Sequence, residues 1–225
     1  MRVRWQVGKG SGRYGLLLLL LIAVYLISAV TRSRWGGAIH VAFVMVIGLL
    51  AIRRALLSQW ADWVAVGIVL VTGIAAGFGI SSTNKTAEGL ANLWSGLVLL
   101  VTVVIIINGV LRIDQVTGQS IYAALSAYLL LGLMFSAFYG ALSFLVSGPF
   151  FANGQPVNTQ TLQYFSFVTL TTLGYGDFTA AGSLGRAFAV LEALTGQVFL
   201  ATLVARLVSA YGTTRQRPPQ DPPDT

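Results

Sequence analysis

Six runs of this chain are apolar for long enough to leave water behind: 15–30, 37–52, 61–80, 90–111, 121–146 and 184–211. A helix crossing a bilayer needs about 20 mostly apolar residues. Every backbone polar group in hydrocarbon must be bonded internally, so runs of this kind commit to helices. The remaining composition agrees: 56% of the residues are hydrophobic and 9% are charged, against roughly 25% charged in a soluble domain. The sequence therefore predicts an all-α integral membrane protein with six transmembrane helices.

Charge gives an orientation. Six spans put both ends on one side. If that side is cytoplasmic, Arg2, Arg4, Lys9, Arg13, Arg53, Arg54, Arg112, Arg206, Arg215 and Arg217 lie inside, and Arg32, Arg34, Lys85 and Arg186 lie outside. Ten basic residues against four follows the positive-inside rule. The net charge of +7 is thus read as topology rather than as a nucleic-acid surface, since no basic face is interleaved with aromatics. The first run is followed by Thr31-Arg32-Ser33-Arg34 rather than a small-residue cleavage site, so it reads as a span and not as a leader. The chain has no cysteine, which excludes disulfides and thiolate chemistry. The expected cellular address is a cell membrane, of prokaryotic inner-membrane type.

Between the fifth and sixth runs the pattern changes. Residues 147–183 carry Gly148-Pro149, Asn153-Gly154 and Pro156, then a second apolar stretch at 161–170. That stretch is too short to cross a bilayer and reads as a re-entrant helix, with Asn158 or Thr159 as its N-cap. Non-helical backbone at membrane depth is tolerated only where protein buries it or it lines a water-filled path. The segment just after Leu170 is therefore expected to line a pore or cavity.

That segment is Thr171-Thr172-Leu173-Gly174-Tyr175-Gly176-Asp177. It closely resembles the Thr-Val-Gly-Tyr-Gly-Asp selectivity filter of the potassium channel family, with Leu173 in the valine position. The Gly185-Arg186 opening of the last run and its mid-helix Gly196 are similar to the inner helix of simple members. The resemblance implies a tetrameric pore, passive K+ conduction, and ion coordination by Thr172, Leu173, Gly174, Tyr175 and Gly176, with K+ held at the first four. K+ would be the permeant ion, and no cofactor is implied. All filter carbonyls would have to face one axis, which Gly174 and Gly176 permit through positive φ. Leu173 and Tyr175 would then point away from the axis and pack on the re-entrant helix. Filter support is expected from Tyr164, Thr171, Asp177 and Glu192, with Tyr164 bonded to Asp177. Gly196 is either a gating hinge or a close-packing site. The stretch Phe178–Gly182 lacks the proline that many relatives carry, which leaves the shape of the outer loop open.

Glu192 lies mid-span, where an ionisable group is a functional hypothesis. Three readings stand: a carboxylate behind the filter bonded to hydroxyls such as Thr169 or Thr171, a cavity residue that attracts cations, or a protonated acid satisfied by a neighbouring helix. The run at 90–111 contains no Arg or Lys, and Arg112 stands alone at its end. A voltage sensor needs several charges to cross the field, so steep voltage gating by this run is not expected.

The domain plan is a cytoplasmic segment (1–14), a four-helix region without an Arg-rich sensor (15–114), a pore unit (120–211) and a disordered cytoplasmic tail (212–225). The expected function is a potassium-selective channel subunit, homotetrameric in the bilayer. A sodium-permeable or non-selective channel on the same scaffold is the alternative. A potassium transporter subunit or a membrane enzyme is further off: the chain has one complete filter motif, no paired carboxylates and no His-Glu-x-x-His.

Overall fold

A computed structural model of the chain describes residues 13–30, 73, 84–111 and 118–214. The expected spans at 37–52 and 61–80 (Gly73 apart), the segment 1–12, Arg112 and the tail from 215 lie outside the described residues. The described residues include five helices: α1 (Arg13–Val30), α2 (Lys85–Leu111), α3 (Gly118–Leu145), α4 (Thr159–Leu170) and α5 (Ser183–Thr214). Among the described residues there is one isolated antiparallel bridge, Phe151 to Ala180, and no sheet. Three of these helices are long and apolar enough to cross a membrane, within Lys85–Asn108, Gly118–Leu145 and Ser183–Ser209. The protein is a multi-pass membrane protein.

Helix α3 is the hub. It packs on α1, α2, α4 and α5, and its side chains Leu130, Leu131, Leu133, Met134, Phe135 and Tyr139 form much of the core. With lipid outside as apolar as leucine, helices associate through close van der Waals fit rather than through escape from water. Small residues make the fit here. A Cβ on Gly96 of α2 would meet the Phe138 ring at 2.7 Å, and one on Gly140 of α3 would meet Asn92 Oδ1 at 2.7 Å. The polar side chains of α2 are settled within it: Ser95 and Thr102 donate to the carbonyls of Ala91 and Val98, one turn back.

The re-entrant helix α4 starts two residues earlier than its apolar stretch, because Asn158 caps it. The Asn158 side chain accepts from Thr161 N at 2.9 Å, and Thr161 Oγ1 accepts from Asn158 N at 3.0 Å. Such a reciprocal box satisfies two otherwise orphaned donors. The buried residues Leu162, Phe165, Ser166 and Leu170 recur at three- and four-residue spacing, one helical face. That face lies against α3 and α5.

The loop before α4 doubles back onto the segment beyond the Gly-Tyr-Gly motif. Ala152 N donates to Thr179 O and Ala181 N to Phe150 O, both at 2.8 Å. Phe150, Phe151, Phe165, Phe178 and Tyr139 stack around this staple, with ring centroids 4.9–6.0 Å apart for the pairs in contact. Aromatic pairs at such separations add to burial through ring electrostatics. The outer loop thus takes its shape from a backbone bridge and an aromatic cluster, with no proline in Phe178–Gly182.

Candidate functional site: the loop after the re-entrant helix

Helix α4 stops through backbone geometry. Its C-cap is Thr171, and Thr172 follows in the left-handed region with φ 57°. Thr172 N donates to Thr169 O and Leu173 N donates to Val168 O, each at 2.9 Å. That 5→2 and 6→1 pair is a Schellman motif, which usually places glycine at the left-handed position. A β-branched residue there is a true outlier, and such strain costs of order 1–3 kcal/mol. Side-chain bonds offset it: Thr172 Oγ1 donates to Thr171 O at 2.7 Å and accepts from Gln197 Nε2 at 3.1 Å.

Two more left-handed residues follow at alternate positions, Gly174 (φ 58°) and Gly176 (φ 79°). A regular strand sends successive carbonyls to opposite sides. Left-handed residues at 172, 174 and 176 break that alternation. Residues 171 to 177 are all exposed in the single chain. Leu173 is 56% and Tyr175 66% exposed. In the single chain each is thus more than half open, where packing on the re-entrant helix was expected. The face of α4 that is buried within the chain is already filled by α3 and α5, so these two side chains stay mostly uncovered within their own chain.

Tyr164 OH donates to Asp177 Oδ2 at 2.8 Å, and Tyr164 stacks on Phe178 at 5.5 Å. The bond to Asp177 holds the Tyr164 phenol above its ordinary range. Thr171 Oγ1 donates back to Phe167 O at 2.7 Å and so closes the last turn of α4.

Behind the loop, α5 meets α4 at successive turns. Ser166 Oγ lies 2.5 Å from Glu192 Oε1, and Tyr139 OH donates to Glu192 Oε2 at 2.6 Å. Glu192 is 0% exposed. The expected partners Thr169 and Thr171 are therefore replaced by Ser166 and Tyr139, because Ser166 lies on the buried face of α4. Full burial also removes the reading of Glu192 as a cavity group that attracts cations. One turn further, a Cβ on Gly196 would run into the Leu170 carbonyl oxygen. Gly196 is thus a site of close packing, and α5 runs through it unbroken. Tyr128 OH donates to the same Leu170 oxygen at 3.2 Å. Sequence reasoning singled out Glu192 and Gly196 but missed Tyr139, Ser166, Tyr128 and Gln197. A Gln beside a mid-helix Gly in an apolar span was the available signal for Gln197.

Residues 123–212 match the family model described as ion channel. The chain is 32% identical over 96 residues to potassium channel subfamily U member 1 of Mus musculus and 31% identical over 96 residues to the Rattus norvegicus protein. Over this region the chain is similar to ion channels, potassium channels among them. Each match covers 39% of this chain and 8% of the relative, so the chain spans a small part of those relatives' length. The matched family model begins in α3 and ends in α5 and contains the whole loop.

Proposed function

We propose that four copies of this chain surround a K+-selective pore, with Thr172, Leu173, Gly174, Tyr175 and Gly176 as its filter. The observation that carries this reading is the alternation of left-handed residues at 172, 174 and 176 at the end of a re-entrant helix. A dehydrated cation needs a shell of oxygens in place of water, and four such backbones around one axis supply it. K+ would lie at the level of Thr172, Leu173, Gly174 and Tyr175. The C-terminal end of α4 carries a partial negative charge of about half a unit, which favours a cation beneath the filter. The uncovered Leu173 and Tyr175 support assembly, since an adjacent copy would give them the packing that their own chain lacks. Thr171, Tyr164 and Asp177 brace the filter from the sides. The charge distribution supports cytoplasmic termini.

The test is K+ efflux from liposomes holding the purified protein, with Na+ as competitor. Strong K+ preference, blocked by barium and lost in Gly174→Ala, is the expected result. Alanine at φ 58° takes on a left-handed penalty of about 1–2 kcal/mol in each copy. Equal Na+ flux would move the protein to the non-selective alternative. A monomer without flux would sink the pore.

A further inference from the structure

Glu192 of α5 joins three helices through oxygen atoms alone. Its carboxyl group faces Tyr139 from α3 and Ser166 from α4, and Tyr128 of α3 is the further ionisable group near it. Ser166 Oγ is also 2.7 Å from the backbone carbonyl oxygen of Gly132. The cluster therefore contains three short oxygen–oxygen contacts: Gly132 to Ser166 at 2.7 Å, Ser166 to Glu192 at 2.5 Å, and Glu192 to Tyr139 at 2.6 Å. Two oxygens at such a distance repel unless a proton lies between them.

The protons can be counted. A serine hydroxyl donates once, a tyrosine hydroxyl donates once, and a carbonyl oxygen only accepts. An ionised Glu192 would leave two protons for three contacts. The Ser166 proton could then serve Gly132 or Glu192 but not both. A protonated Glu192 closes the count: Tyr139 donates to Oε2, Oε1 carries the acid proton and donates to Ser166 Oγ, and Ser166 donates to Gly132 O. Burial points the same way, since an ionised carboxylate enclosed with hydroxyls rather than a cation is costly and such a group neutralises instead.

We infer that Glu192 is a neutral carboxylic acid in the folded protein and that, as donor to Ser166 and acceptor from Tyr139, it is a positioning residue fixing α4 against α5 behind the filter. The placement gives it leverage on the loop. Glu192 and Gly196 are one turn apart on α5 and meet Ser166 and Leu170, one turn apart on α4. The acid thus sets the register in which Leu170 seats on Gly196 and Gln197 reaches Thr172.

Infrared spectroscopy of the full chain in liposomes at neutral pH tests this without any ion flux, so its outcome is separate from that of the selectivity proposal. Wild type minus Glu192→Gln should contain the carbonyl stretch of a protonated carboxylic acid. Carboxylate bands in that difference would overturn the inference. Ser166→Ala, which removes the acceptor, should shift the acid band toward a weaker hydrogen bond, and an unshifted band would overturn the donor assignment. For positioning, the amide of Glu192→Gln keeps a donor and an acceptor, so it should retain flux where Glu192→Ala loses it. Full flux in Glu192→Ala would end the positioning role.

Discussion

Helices α3 and α5 have similar lengths, 28 and 32 residues, and both are apolar enough to span a bilayer. They differ in company. Of the most apolar stretch of α3, 67% is buried inside the chain, against 11% for α5. Leu191, Leu194, Val198 and Val204 of α5 stand exposed, while Leu130 and Tyr139 of α3 have no exposed surface. Hydropathy says that a helix belongs in the membrane, not what it touches there. What separates the two is local fit: α3 is surrounded by matched rings and small residues, and α5 touches its own chain along one line that includes Glu192 and Gly196. The rest of α5 is exposed in the single chain, open to lipid or to other copies.

Substitutions at the two ends of this contrast should behave differently. The largest effect is expected for Leu130→Ala. It removes a side chain with no exposed surface and leaves a cavity that costs about 2–5 kcal/mol, read as a drop in the thermal midpoint of the detergent-solubilised protein. An unchanged midpoint would mean that α3 is not the hub. Next comes Gly196→Ala. Its new Cβ meets a backbone carbonyl that has little room to move, so overpacking of about 1–3 kcal/mol should appear in the midpoint, with loss of K+ flux because Leu170 leads directly into the proposed filter. A stable, conducting variant would show that α4 and α5 separate more easily than the contact implies. The smallest effect on the fold is expected for Val198→Ala, 65% exposed. Its midpoint should stay within about 0.5 kcal/mol of wild type, while chemical cross-linking should report a weaker assembly. A large destabilisation of the single chain there would erase the difference between the two helices.

The sequence made the positions of the described helices legible because bilayer thickness and backbone satisfaction leave few options for a long apolar run. The Asn158 cap was legible for a similar reason: it depends on residues three apart. The Gly-Tyr-Gly segment declared its two glycine φ angles, since few other residues tolerate them. Thr172 did not declare its own, because nothing in a threonine signals that a helix will end on it. The partners of Glu192 were misread for want of a range signal. Tyr139 is 53 positions away and Ser166 is 26, and which of several pore-helix hydroxyls a carboxyl meets depends on how two helices cross. The Phe151 to Ala180 bridge was invisible on the same grounds, as it joins two irregular segments through backbone atoms that carry no residue signature.

The length of α5 has a mechanical side. The helix runs unbroken from Ser183 to Thr214, a rod about 48 Å long at 1.5 Å per residue. It is gripped near its middle, at Glu192, Gly196 and Gln197, and the last of these holds the strained Thr172. The arm from Val198 to Thr214 extends about 26 Å beyond that grip. A rod clamped there delivers any sideways push on its far arm as torque at the clamp, so a load applied deep on one side of the membrane is felt at the residue where α4 gives way to the Gly-Tyr-Gly loop.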